Sequence, residues 1–219
     1  MVNVRIVYKK TGNLKFISHL DMNRLFLRLV KKAGLPIWHT EGFNPHPYIT
    51  FAVPLSLGFE SDYDLLDIKL TDDNYDISKV ADAFAAVAPE GIEFVESFAP
   101  KMKYGEIFSA DFAIRFYDVP QGFYDKLAQF IEKKPINVLK KRKNGKMDTI
   151  DISEKILFAC AKQDDNDVIL NIKLPAGSNE NVNPMLFVSA FIAENPEYDL
   201  ICRSVFRGKI FNKSGEVFR

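Results

Sequence analysis

The sequence predicts an α+β fold in two successive units, each running strand–helix–strand–strand–helix–strand. Three observations predict it. Short segments alternate apolar and polar residues with a period of two and end at Gly, Pro or Asn. Helical patterns of period 3.6 fall between them, two in each half. The order of element types seen over residues 1–100 returns over residues 108–219, with a joining stretch near 99–109. At 219 residues the chain is long enough for two small cores.

In the first half, the β-branched alternation VNVRIVYKK predicts the opening strand. Residues 18–33 predict a helix that stops at Gly34, with Pro36 just beyond. Residues 35–40 and 48–55 predict two short strands, and DLLDIKL at 64–70 a third. A second helix is expected over 76–88, on the apolar spacing of Ile77, Val80, Ala81, Phe84 and Val87. Residues 92–98 close the unit as a strand. This order is the ferredoxin-like βαββαβ arrangement, with one additional strand.

The second half repeats it. Residues 111–117 predict a strand and 123–133 a helix. Residues 136–141 and 147–152 form a hairpin about Asn144 and Gly145, a dipeptide suited to the positive φ of a type I′ turn. Residues 156–162 and 168–174 form another hairpin. Asn183 caps a helix with Pro184 at its first position, running to about Glu194, and 198–206 is the last strand. No residue-level repeat links the halves, so the expectation of two tandem ferredoxin-like units rests on element order alone.

Composition excludes several classes. Nearly half the residues are hydrophobic and no tract is of low complexity, which predicts a fully folded protein. No apolar run approaches the span of a bilayer, and the N-terminus reads as a strand rather than a signal peptide. The expectation is a cytoplasmic protein with no membrane contact. Cys160 and Cys202 lie far apart in apolar, strand-like contexts and predict buried thiols, with no metal-ligand pattern and no room for a cysteine-ligated cluster. No phosphate-binding loop, dinucleotide fingerprint, zinc-protease helix or nucleophile elbow is present. No cofactor is expected.

The net charge is zero but segregated. Residues 1–50 carry eight Lys/Arg against two Asp/Glu, residues 51–100 two against eleven, and residues 101–150 eleven against six. Local fields of this kind act on partners regardless of the total. The three histidines, His19, His39 and His46, all fall in the first basic block. Their spacings of 20 and 7 match no common zinc pattern, so no metal is predicted.

On a helical wheel, Met22, Leu25, Phe26, Leu29, Val30 and Ala33 share one face of the first helix. Arg24, Arg28, Lys31 and Lys32 share the opposite one, joined by Lys9, Lys10 and Lys15 from the preceding turn. Ser18 and Asp21 resemble a capping box with Asp in place of Glu. Two readings of the basic stripe stand: an anion-binding surface for phosphodiester backbone, or a solvated face paired with the acidic segment 60–76. His19, in the first turn, sits nearer the apolar side. It is either a core-edge histidine or a working imidazole at a helix N-terminus. In EGFNPHP, Pro45 and Pro47 hold His46 extended, while Gly42 and Asn44 permit turn geometry. The loop is placed to present Asn44, His46 and Tyr48, or it is a structural crossover. His39 beside Trp38 either stacks under a ligand or covers the core.

FISHLD at 16–21, AGLP at 33–36, EGFNPHP at 41–47 and PLSLGFES at 54–61 together span about fifty residues, from Lys10 to Ser61. This stretch resembles the opening of the radical-SAM-linked protein family, an uncharacterised family found beside, or fused to, B12-binding-type radical SAM proteins. Where the family pattern reads RRAGLP, this chain reads KKAGLP and retains two cations at Lys31 and Lys32. The remaining residues match mainly in layout. The family is similar in style to RNA-processing proteins built from paired ferredoxin-like domains. The resemblance therefore implies RNA as ligand and a radical SAM protein as partner.

A second basic element is LKKRKNGK, with Lys140, Lys141, Arg142, Lys143 and Lys146 about the hairpin turn. It suits docking along phosphates, or it is an edge hairpin kept soluble by lysine. No aromatic signature of a conventional RNA-recognition motif appears on the expected strands. Three functions follow as expectations. The first is an RNA-binding accessory protein working with a radical SAM enzyme in tRNA or rRNA modification or processing, with no catalytic motif of its own. The second is a metal-independent endoribonuclease with His19 or His46 as general base. The third is a protein-interaction subunit whose acidic segment meets a basic partner.

Overall fold

The structure is a computed structural model and describes residues 1–141 and 147–219. It is a mixed α+β protein whose strand pairs within each unit described below are antiparallel. The chain divides into two compact units, Met1–Glu106 with Glu216–Arg219, and Ile107–Gly215.

In the first unit, β1 (Val2–Lys10) is followed by α1 (His19–Lys32), β2 (Ile49–Phe51), β3 (Phe59–Leu70), α2 (Val80–Ala85) and β4 (Ile92–Phe98). The sheet order is β4-β1-β3-β2. Alternation along β1 sends Val4, Ile6 and Tyr8 to one face, where Leu66 and Ile68 of β3 meet the buried stripe of α1. Phe84 of α2 stacks on Phe94 with ring centroids 4.9 Å apart. The Ser18 hydroxyl accepts the Asp21 backbone N–H and donates to the Asp21 carboxylate, which caps α1 as its sequence predicts.

The opposite face of this sheet carries Arg5, 1% exposed. Its guanidinium donates to both Asp67 oxygens and, through Nη1, to the Met102 carbonyl at 3.0 Å. It also lies over the rings of Tyr104 and Phe218. Burial disfavours its charge, but the Asp67 hydrogen bonds and charge outweigh burial and raise its pKa. Burial, reinforced by Asp67, pushes the Tyr104 phenol up. The tail from Glu216 to Arg219 closes this face: Phe218 is fully buried, its carbonyl accepts from Tyr63 Oη, and Arg219 pairs with Glu96.

In the second unit, β5 (Ile107–Phe116) leads to α3 (Phe123–Ile131), then β6 (Asn137–Lys141), β7 (Met147–Asp151), β8 (Phe158–Asp164), β9 (Asp167–Pro175), α4 (Met185–Glu194) and β10 (Arg203–Asn212). The sheet order is β10-β5-β9-β8, and β6 and β7 form a separate ribbon. Both units therefore order their sheet strands last–first–third–second. Phe123, Phe130, Phe187, Phe191 and Tyr198 form an aromatic core under the sheet.

Several boundaries differ from expectation, each for a local reason. Residues 35–40 form only isolated bridges, Ile37 to Leu70 and His39 to Pro47. The second helix shortens to a 3-10 turn, Ile77–Lys79, which Asp76 caps by accepting the Ser78 N–H, and α2, which stops ahead of Pro89. Pro184 precedes the first turn of α4 rather than opening it, while Asn183 Oδ1 still accepts the Met185 N–H at 2.9 Å. Residues 196–198 fold as a 3-10 turn started by Pro196, so the last strand begins at Arg203 and runs on to Asn212. Cys160 and Cys202 are exposed, not buried. In β8 the alternation turns Ala159 and Ala161 inward and Cys160 outward. No helix among the described residues is long and apolar enough to cross a membrane.

Candidate functional site

The conspicuous residues of the first unit separate into a narrow cleft and an exposed surface. The cleft lies where α1 begins. Tyr8 and Lys10 continue the inward row of β1, and Asp64, opposite Tyr8, opens the inward row of β3. A register irregularity between Tyr8 and Lys10 brings Lys10 opposite Ser61. Lys10 is 2% and Asp64 3% exposed, so Lys10 is not part of the surface stripe that the sequence predicts. Neither burial is expected from sequence, because a charged side chain ordinarily faces water. The signal was present in the period-two rows Val4, Ile6, Tyr8, Lys10 and Asp64, Leu66, Ile68.

His19 lines the same cleft with Met22, Phe51 and the 53–55 turn. Its ring meets the Phe51 edge-on at 5.2 Å, and Phe51 meets Phe26 likewise. His19 is thus solvent-exposed and seated on the core edge. The cleft has about 10 Å³ open to a water-sized group, space for about one water.

The loop after α1 is a short irregular hairpin. Trp38 O accepts the Tyr48 N–H, and His46 O accepts the Thr40 N–H, both at 2.9 Å. Trp38 and Tyr48 rings lie 5.7 Å apart, and Lys69 Nζ stands 4.8 Å over the indole. His46 Nδ1 is 3.1 Å from both the Asn44 carbonyl and Thr40 Oγ1. A carbonyl only accepts, so Nδ1 carries the proton in neutral His46 and Nε2 keeps its lone pair. His39 Nδ1 is held the same way by the Ile37 carbonyl at 3.1 Å. Residues 41–46 are all exposed, and Phe43 at the tip is fully so.

On α1, Arg24, Arg28, Lys31 and Lys32 are all exposed. Arg24 pairs with Asp21 at 3.1 Å. Ser18 first and then Arg24 hold the Asp21 carboxyl below the usual carboxylate range. Lys15 sits 3.7 Å from Glu60 and 5.4 Å over the Phe16 ring. Among the described residues no ion pair engages Arg28, Lys31 or Lys32. The acidic segment 60–76 is largely used internally: Glu60 by Lys15 and the Gly12 N–H, Asp64 in the cleft, Asp67 by Arg5.

Lys140 and Lys141 lie on β6. Arg142, Lys143, Lys146 and the Asn144 and Gly145 turn lie outside the described residues. Among the described residues no group of three or more His, Cys, Asp or Glu is placed to hold a metal.

Residues 3–184 match the family described as "Uncharacterized protein conserved in bacteria (DUF2344)". The chain belongs to that family. No curated protein matches it. Among solved structures, it is similar to a chain of the "Crystal Structure of a Cbf5-Nop10-Gar1 Complex", with 9% identity and a TM-score of 0.48, covering 96% of this chain and 50% of that one. This chain thus spans half the length of that relative. It is also similar to the "Crystal structure of putative glycine cleavage system transcriptional repressor", with 12% identity, a TM-score of 0.27, and coverage of 97% and 100%.

Proposed function

We propose that this member of the DUF2344 family is an RNA-binding accessory protein that works beside a radical SAM enzyme in tRNA or rRNA modification or processing. One observation carries the RNA reading: α1 presents Arg28, Lys31 and Lys32 to solvent with no carboxylate engaged by them among the described residues. Exposed cations of one sign attract a polyanion and release its counterions on binding. The loop that follows adds a fully exposed ring, Phe43, and hydrogen-bonding groups on Asn44 and His46, the side-chain types that recognise unstacked RNA bases. The radical SAM partner rests on the resemblance of residues 10–61 alone. The two units are read as tandem ferredoxin-like folds, supported by their common last–first–third–second strand order. The ribbon β6 and β7 is inserted in the second.

Gel shift with tRNA and rRNA fragments at several salt concentrations tests the proposal. Binding at low salt that weakens steeply as salt rises is expected. No binding to any RNA at low salt would remove it. Co-purification of the radical SAM protein without RNA would instead favour the interaction-subunit reading.

A further inference from the structure

Within the second unit, the sheet face turned away from α3 and α4 is a regular grid. Register places Phe158 of β8 beside Lys173 of β9 and Asp111 of β5. The next row sets Cys160 beside Asn171, Ala113 and Phe206. Ala113 is a small residue in the middle, on β5, and Gly208 lies beside Phe206 on β10, with Phe158 of β8 at the other side. Strands β8 and β10 are three spacings apart, about 14 Å at the backbone. The result is a shallow pocket of about 470 Å³ lined by Phe158, Ala113, Asn171, Lys173, Phe206 and Gly208. That volume is in the range of ligand sites and far exceeds the cleft beside His19.

We infer that this pocket takes an unstacked base of a single-stranded RNA, an inference that rests on the RNA-binding reading above. Phe158 is 55% exposed although it borders a pocket, so its ring offers a face for stacking. Stacking on aromatic rings is how single strands are held without dependence on sequence. The Asn171 amide on the floor offers a donor and an acceptor, the pattern of a base edge and not of an aliphatic ligand. Lys173 is fixed at the rim by Asp111 at 3.3 Å and by the Phe211 ring at 3.9 Å. Lys162, two residues beyond Cys160 on the same row of β8, is exposed and makes no ion pair among the described residues. It places a cation where the adjoining phosphate would run.

The test compares wild-type protein, Phe158→Ala, Gly208→Val and the charge reversal Arg28→Glu/Lys31→Glu/Lys32→Glu. The probes are a short unstructured RNA oligonucleotide and an abasic ribose-phosphate strand of equal length, read by fluorescence anisotropy. A Cβ at Gly208 meets nothing nearer than the Asp111 Cβ at 3.5 Å, an ordinary van der Waals contact, so a side chain can leave the backbone there toward the pocket. Cooperative thermal unfolding of wild type and every variant, well above the assay temperature, confirms the folds. Wild type should prefer the RNA to the abasic strand, and Phe158→Ala and Gly208→Val should each weaken RNA binding roughly tenfold. Their affinity for the abasic strand should not change. If both pocket variants bind RNA like wild type while the charge reversal loses it, the pocket inference falls and the RNA reading stands. If wild type binds neither probe, both fall.

Discussion

Arg5 grips Asp67 with two parallel hydrogen bonds, Nε to Oδ1 at 2.7 Å and Nη2 to Oδ2 at 2.8 Å, beneath a cover of two aromatic rings. Arginine is suited to this place because its planar fork matches a carboxylate at two points and stacks on ring faces. Removing one partner of such a pair leaves the other charge buried and uncompensated. Asp67→Ala is therefore expected to cost about 3–5 kcal/mol. Urea denaturation checks it; a loss under 1 kcal/mol would mean that Met102 O and the rings alone satisfy the guanidinium.

Charge reversal of Arg28, Lys31 and Lys32 should cost about 1–2 kcal/mol of folding stability: the three are exposed and unpaired, but Lys31 and Lys32 lie in the last turn of α1, at the negative end of its dipole. RNA affinity should fall, and the slope of log K against log salt should shrink by about two. The same titration with Lys9→Glu is the control. Lys9 already holds Glu93 at 2.9 Å, so its loss should move that slope far less.

Ser18→Ala removes the acceptor for the Asp21 N–H and the donor to its carboxylate. A cost of about 1 kcal/mol is expected, measured by denaturation at neutral pH. Asp21, Asp76, Asp151 and Asp167 all have pKa values held below the ordinary 3.8, the first three chiefly by serine hydrogen bonds and Asp167 by the Asp118 N–H. Depressed carboxyls stabilise the fold above their unfolded pKa, and that contribution is lost as they protonate. Stability should thus be flat above pH 5 and decline as pH falls through 3.8 and below. A decline that begins near neutrality would point to other groups.

His46 and His39 should both show the Nδ1–H tautomer when neutral, read from imidazole nitrogen chemical shifts. Thr40→Val should leave the His46 tautomer unchanged, because the Asn44 carbonyl still requires the proton. An Nε2–H tautomer in the wild type would contradict the hydrogen-bonding described for the loop.

Gly91→Ala should destabilise by about 1–3 kcal/mol. Its φ is +88°, and a Cβ there would stand 2.7 Å from the Thr11 carbonyl oxygen. The Thr11 N–H to Gly91 O bond at 2.9 Å ties the end of β1 to the start of β4, so relief of the clash breaks that tie. Equal stability would mean that the backbone there yields.

Elements that carry their own punctuation were legible. The first helix has a cap, an amphipathic stripe and a glycine stop, and α1 lies within one residue of expectation at each end. Elements fixed by distant partners were not. The first residues of β3, FESDY, show no apolar alternation, and Phe59 and Ser61 are buried by tertiary pairing. Lys10 and Asp64 stood in apolar rows, where their charge outweighed their position. The aromatic face of the second unit was illegible for a related reason. Phe158 and Phe206 come together only through the register of four strands, which no local window of sequence contains.

Residues 216–219 close the first unit yet are translated after the whole of the second. As the ribosome delivers the chain, the first unit has its sheet and helices early but lacks Phe218 over Arg5. Domains usually finish folding in the order they are made. Here the half that is synthesised first is the half completed last.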